Sequence, residues 1–385
     1  MTTHVFIVDV NTFKYHLEYG FVGTGNKDYY VDFNNNYNTS LHPTSENSIL
    51  CLIADFSRVQ IGDLVIFYLQ QNCENGIYEG KFYGFFKISS LVFLDNNDDK
   101  QFLKDELKKS LTFRCFIEPC EVYAEGVTEW EALDEIKDII SPNQMLWSLI
   151  YRKLKGNRGN TMITMYESDR LINLIRKKNN FVNLSYNRYS YNRYSFDVYL
   201  QKIINTNFSL NYSGRMEKIN ILPRLFQKYY DGKQFEMHLQ VYILQEFYKT
   251  HFFGLLSNEH IEWLGNEVGC GVGMQSIDIM ASSSININGL IYKKVIPVEL
   301  KSCEVYPEII LQMQRYINWL NQYYVPNHQS SILPVIICRK TNKNSTNYKI
   351  FYEEVQKFSI NNNTLPLIYI EFFISENQIQ FERIF

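Results

Sequence analysis

The chain has 385 residues, 38 Lys+Arg against 41 Asp+Glu, a formal net charge of -3 and an apolar fraction of 45%. Its length exceeds the usual single-domain size, so two or three folded units are expected. The balanced charge excludes binding of a polyanion by the whole molecule and leaves only a local basic patch for that purpose. No N-terminal stretch has signal-peptide form, and no apolar run reaches the roughly 18 to 20 residues that would span a bilayer. Together these place the expected protein in solution, in the cytoplasm of a prokaryotic cell. Seven cysteines without a C-x-x-C pair or a nearby His read as free thiols in a reducing compartment.

Residues 4 to 10 (HVFIVDV) alternate as a strand does, and Asn11 to Gly25 reads as a short helix ending in a Gly-rich turn. A polar, Asn-rich segment from Asp32 to Asn47 is expected to be loop. Val59 to Leu69 (VQIGDLVIFYL) sets a Gly-Asp turn before a β-branched and aromatic run. Phe82 to Ile88 and Thr112 to Tyr123 follow as further strands, which together argue for a small β-barrel with peripheral helices. From Gln144 to Lys178 the chain is helical, then basic, then helical again, with Leu171, Ile172 and Ile175 on one face of the last helix. Between these helices Arg152, Lys153, Lys155 and Arg158 gather near Trp147 and Tyr151. Cations beside aromatic rings suit a nucleic-acid surface, with phosphates on the charges and a base on a ring; a solvated loop has the same composition.

The order GDLVIFYL, then a Gly-containing strand, then RKLKGNRG resembles small PUA-like barrels of the EVE type. That resemblance implies a module, here residues 1 to 180, that holds a base or modified base in an aromatic pocket. Residues 185 to 195 repeat YNRYS in tandem, without apolar periodicity. They read as part of a linker and connecting helix over 181 to 229, with a Tyr/Arg surface for bases as the alternative. Phe196 to Ile219 reads as a helix and connection.

The second half, residues 230 to 385, opens with a helix over Gln234 to Thr250. Leu239, Ile243 and Leu244 form its apolar stripe, Glu236 lies one turn before Leu239, Gln240 falls on a neighbouring face, and Glu246 is the competing acid. His238 reads as a surface or supporting residue. Residues 261 to 268 and Ser276 to Met280 are strands on either side of a Gly-rich turn. Asn286 to Gly289 is a hairpin turn into VIPVELK. In that strand Ile296, Val298 and Leu300 share one face, and Pro297, Glu299 and Lys301 the other. The core takes the first set, leaving Glu299 and Lys301 side by side. With Asp278 on the adjacent strand, two carboxylates and an ammonium meet at one edge. Oxygen ligands for Mg²⁺ and a nearby lysine are what phosphodiester cleavage requires.

An Asp, a strand reading V-E-L-K and then Q-x-x-x-Y on a helix resemble the PD-(D/E)XK nuclease superfamily. The likeness is to its RecB-like branch, and the Q-x-x-RYINWL ending is similar to archaeal mismatch-cutting endonucleases. The resemblance implies a restriction-endonuclease-like mixed sheet flanked by helices, hence an α/β and α+β protein. It further implies Asp278 and Glu299 as ligands of Mg²⁺ or Mn²⁺, Glu236 as the helical acid reaching the metal, and Lys301 as the catalytic lysine. Gln312 and Tyr316 orient the site and contact DNA in this reading. The resemblance also implies a product that carries a 5′-phosphate. Ile rather than Pro precedes Asp278, and the gap to Glu299 is longer than in the tightest relatives. Ser331 to Arg339 and Pro366 to Ile374 supply the later strands. The expected activity is DNA cleavage serving restriction of foreign or modified DNA, or repair. Two alternatives remain open: a non-catalytic nucleic-acid-binding protein with a nuclease-like fold, and an RNA-directed nuclease. A homodimer would explain double-strand cleavage, although no interface is visible in the sequence. No P-loop run is present, so a nucleotide cofactor is not expected.

Overall fold

The computed structural model describes residues 2–25, 30–33, 43–134, 159–184, 193–208, 210–249, 260–270, 275–287, 290–324 and 330–385. It divides into two compact units, one ending at Ile219 and the other carrying Asn220–Phe385. Both mix helices with mixed sheets, the α/β and α+β class expected from the sequence. No helix among the described residues is long and apolar enough to cross a membrane.

The first unit begins with β1 (Thr3–Val8), α1 (Val10–Tyr19) and β2 (Phe21–Thr24). Helix α1 starts where Asp9 accepts the N–H groups of Asn11 and Thr12 while the Thr12 hydroxyl accepts the Asp9 N–H, a reciprocal cap. It stops at Gly20, whose φ of +64° suits a residue without Cβ. Then come α2 (Pro43–Ser57), β3 (Leu64–Leu69), β4 (Lys81–Ile88), β5 (Phe93–Leu94), α3 (Lys104–Leu107), β6 (Phe113–Pro119), β7 (Val127–Thr128), α4 (Glu129–Asp134), β8 (Asn160–Ile163) and α5 (Met165–Lys178). The strands form one sheet in the order β2-β6-β4-β3-β1-β8, with β5 on β6 and β7 on β4. Strand β3, LVIFYL, is buried at every position, as a strand covered on both faces must be. Ile66 and Tyr68 pack with Val5, Phe82, Leu171 and Ile175. Phe67 meets Phe13 at 5.1 Å and Phe86 at 5.5 Å between ring centroids.

Two expectations for this unit are corrected. The Asn-rich segment does not stay loop as far as Asn47, because α2 begins at Pro43. The second YNRYS copy is not a bare connector, and among the described residues no helix follows Phe196 before Ile219. β9 (Arg193–Asp197) and β10 (Lys202–Thr206) pair as an antiparallel hairpin instead. Tyr194 and Phe196 are buried; Phe196 packs against Phe13 with tilted rings whose centroids are 4.7 Å apart, and Ser195 Oγ donates to Glu18 Oε1 at 2.6 Å. Tyr194 and Ser195, the last two residues of the repeat, together with the following Phe196 thus anchor its end within the first unit, a role hidden by its polar composition.

The second unit contains α6 (Leu222–Tyr230), α7 (Glu236–Glu246), β11 (His260–Gly269), β12 (Ser276–Ile287), β13 (Leu290–Glu304), α8 (Glu308–Trp319), β14 (Ser330–Ile332), β15 (Val335–Arg339), α9 (Thr346–Asn362), β16 (Ile368–Ser375) and β17 (Gln378–Arg383). Its sheet order is β11-β12-β13-β15-β16-β17, with β14 also on β13. β11, β12 and β13 are antiparallel, whereas β13, β15 and β16 run parallel. Pro297 falls in the gap where β13 passes from its pairing with β14, ending at Val295, to its pairing with β15, starting at Val298. That placement is where a residue without an N–H disturbs the sheet least.

Candidate active site

Strand parity placed Ile296, Val298 and Leu300 in the core correctly, since all three are buried. It did not foresee that the opposite face is covered too: Glu299 is 0% exposed. The cause is position. β13 lies inside the sheet between β12 and β15, and α8 supplies a cover. A carboxylate so enclosed must be satisfied by the protein itself. Tyr316 Oη approaches Glu299 Oε2 at 2.7 Å, and Lys301 Nζ stands 2.5 Å from Oε1. The second contact is an ion pair rather than an aligned hydrogen bond, because Oε1 has no partner of hydrogen-bond geometry.

Asp278 sits on β12 one step beyond the pair Ile279↔Val298, opposite Glu299. Its Oδ2 accepts the Leu300 N–H at 2.7 Å, tying β12 to β13 where the ladder ends. Mostly enclosed but with an open edge, Asp278 is the more accessible acid of the two. Burial and then the charge of Glu299 push its pKa well above the ordinary carboxylate value, against the pull of the Leu300 N–H. Glu299 is raised chiefly by burial, with Lys301 and Tyr316 opposing. Burial acts to lower the Lys301 pKa, but Glu299, then Glu236 and Asp278, outweigh it and drive it up, so the side chain is an ammonium at neutral pH.

Glu236 reaches the same place from the first turn of α7, where an acid also favours the helix dipole. Its Oε2 lies 3.9 Å from Lys301 Nζ, and its Oε1 accepts long contacts from Ser302 N and Oγ at 3.4 and 3.5 Å. The competing acid, Glu246, lies at the other end of α7 and pairs with Lys249. His238 is 1% exposed, which removes the surface alternative of the two expected for it and leaves the supporting one. On α8, Gln312 Nε2 donates to Tyr316 Oη at 2.8 Å, and Tyr316 Oη also meets Ser276 O at 2.8 Å. A hydroxyl has one proton, so Glu299 Oε2 and Ser276 O compete for it while Gln312 fills the acceptor side. Burial, then Glu299 and Asp278, raise the pKa of Tyr316. At 1% exposure it belongs to the wall of the site.

The structure therefore gathers Asp278, Glu299, Lys301, Glu236, Gln312 and Tyr316. Arg152, Lys153, Lys155, Arg158, Trp147 and Tyr151 lie outside the described residues. Two neighbours were not singled out as site residues from the sequence. Gln240 Nε2 donates to Asp278 O at 2.7 Å and to Glu267 Oε1 at 2.9 Å, and Ser276 Oγ donates to Glu267 Oε2 at 2.6 Å. Folding residues 261 to 280 about the Gly-rich turn already puts 267 opposite 278, which was the signal available.

Among the described residues no three His, Cys, Asp or Glu side chains form a ready metal cage. The Lys301 ammonium stands where it neutralises Glu299 and keeps Glu236 apart from it. The chemistry of two donors nonetheless suits a hard divalent cation: Asp278 and Glu299 are carboxylates that repel one another, and Glu299 Oε1 is buried without an aligned donor.

No protein-family model matches the chain, and no curated protein matches it. Among solved structures it is similar to human THYN1 in complex with 5-methylcytosine-containing DNA. The identity is 11%, the match covers 45% of this chain and 97% of that one, and the TM-score is 0.26. At that score the likeness assigns neither a fold nor a partner.

Proposed function

We propose that the second unit is a metal-dependent endonuclease core of the PD-(D/E)XK type that hydrolyses DNA phosphodiester bonds, with the first unit selecting the substrate. The observation that supports it most is the meeting of Asp278 and Glu299 across β12 and β13 with Lys301 at 2.5 Å from Glu299. Buried like charges beside one ammonium serve no need of folding and are what acid chemistry at a cleft needs. Asp278 and Glu299 would hold the cation, Mg²⁺ or Mn²⁺, with Glu236 joining through water. Bound there, the cation would polarise the phosphoryl group and acidify the attacking water. Lys301 donates to a phosphoryl oxygen or orients that water as it exchanges partners with Glu299. Tyr316, steadied by Gln312, keeps Glu299 aligned. The enclosed walls exclude bulk solvent from Glu299 and strengthen each of these interactions.

The test is nicking of supercoiled plasmid in Mg²⁺ by wild type, Asp278→Ala and Lys301→Ala. Both variants should lose cleavage by ~10³-fold or more while binding DNA within a few fold. Equal cleavage by all three proteins would sink the assignment. Running plasmid, modified plasmid, mismatched duplex and structured RNA side by side identifies the substrate class.

A further inference from the structure

Glu267, Asp278 and Glu299 occupy one row across three adjacent strands. The pairs Asn266↔Ile279 and Val268↔Ile277 flank the first two, and Glu299 follows one step beyond Ile279↔Val298. Side chains in such a row leave the same face of a sheet about 4.5 to 5.5 Å apart, where like charges oppose one another. At this row the ladder is interrupted. Glu267 has a φ of +48°, the left-handed region that a residue with a Cβ rarely adopts, and it forms no ladder pair with Asp278. Backbone held in such a conformation clusters at functional sites.

Helix α7 places Gln240 at the interruption. The residue is 2% exposed, and both amide hydrogens are used, one on Glu267 Oε1 and one on the main-chain oxygen of Asp278. These two acceptors fix which way the amide faces, and its Oε1 is left buried without a hydrogen-bond partner. Gln240 therefore replaces a ladder donor for Asp278. It also bridges the Asp278 backbone to a second acid, whose other oxygen is held by Ser276 Oγ. Four residues earlier on α7, one helical turn away, Glu236 reaches Lys301.

We propose that Gln240 is a positioning residue of this site: it sets the pose of Asp278 through its main-chain oxygen and uses Glu267 as its own anchor. The inference rests on the nuclease reading above and adds to it a support for the first acid. Mn²⁺ binding to the full chain, measured by calorimetry without DNA, and steady-state plasmid cleavage test it together. Gln240→Met keeps the length of the side chain and removes both donors. It should weaken Mn²⁺ binding and lower kcat, each by ~10-fold or more, with KM for DNA unchanged and one cooperative melting transition retained. Glu267→Gln preserves an acceptor for Gln240 and should keep kcat within a few fold, whereas Glu267→Ala frees the amide and should fall several-fold below it.

Wild-type Mn²⁺ affinity and kcat in Gln240→Met would overturn the positioning role and leave the nuclease reading intact. Equal kcat for Glu267→Gln and Glu267→Ala would also overturn it, and that comparison stands even where Gln240→Met does not fold. A wild-type chain that neither binds Mn²⁺ nor cleaves would remove the nuclease reading and this inference with it.

Discussion

Two buried charge clusters, one in each unit, are built in opposite ways. In the first, Asp95 and Arg114 are both 0% exposed and pair at 3.1 Å, while Arg114 also donates to the carbonyls of Leu111 and Phe102 and to Tyr212 Oη. His4 is likewise enclosed, with Asp63 on one ring nitrogen at 3.2 Å and Asn160 on the other at 3.1 Å. In the second, Asp278 faces Glu299 on one side and Glu267 on the other, and Lys301 with its Glu236 contact is the ammonium among them. Breaking a buried pair is costly to a fold, whereas a row of acids that shares one ammonium works against it and persists where something else selects it. The contrast separates scaffold from site without reference to any relative.

Substitutions sharpen or break that contrast. The largest effect is expected for Arg114→Met, which takes the fully buried cation from Asp95 and leaves it only the partly exposed Arg215 at 3.4 Å and the donors Tyr212 Oη and Phe102 N–H; equilibrium denaturation should show a loss of about 3 kcal/mol, and an unchanged midpoint would mean that the pair is not structural. His16 comes next. Burial pushes its pKa down to about 3, and its Nδ1–H donates to Phe21 O at 2.9 Å. Unfolded, the same ring titrates near its ordinary value of 6.5. The unfolded chain thus takes up a proton that the folded chain refuses. Its contribution to stability is complete above that value and declines by roughly 1.4 kcal/mol per pH unit as pH falls toward 3. A His16→Gln chain should lack that component when denaturation midpoints at pH 7 and pH 5 are compared, and identical pH slopes would refute the assignment.

A third change points the other way. Asp278→Asn retains an acceptor for the Leu300 N–H and removes the repulsion in the acid row, so this variant should gain about 1 kcal/mol; a loss of stability would show that the three acids are not in conflict. The smallest effect belongs to Arg176, which grips Glu121 on the surface at 2.7 and 3.0 Å. With both side chains about a third exposed, Arg176→Gln should cost less than about 1 kcal/mol and less still in high salt.

Much of this was legible in the chain because it is local. Alternation identified β1 and the two faces of β13, β-branched and aromatic runs between turns identified β3, β4 and β6, and the V-E-L-K strand with its upstream Asp, its downstream Gln and Tyr and Glu236 on the preceding helix yielded the six residues that the second unit brings together. What escaped depends on neighbours distant in sequence. The full burial of Glu299 follows from β15 and α8 lying beside its strand, not from the strand's own pattern. The hairpin in the tandem repeat follows from Phe13, Tyr83 and Glu18 waiting to receive Phe196 and Ser195. Gln240 was noticed on its helix face, yet its importance comes from a break in a ladder formed by two other segments.

Lys301 carries one more consequence. An ammonium already seated against Glu299 acts as a resident counter-ion, so on the nuclease reading proposed above the second unit would complete its fold before any divalent cation arrives. Loading and folding are then separate events. Chelation should silence such a protein reversibly and leave its shape intact, with the lysine returning to the acid each time the cation departs.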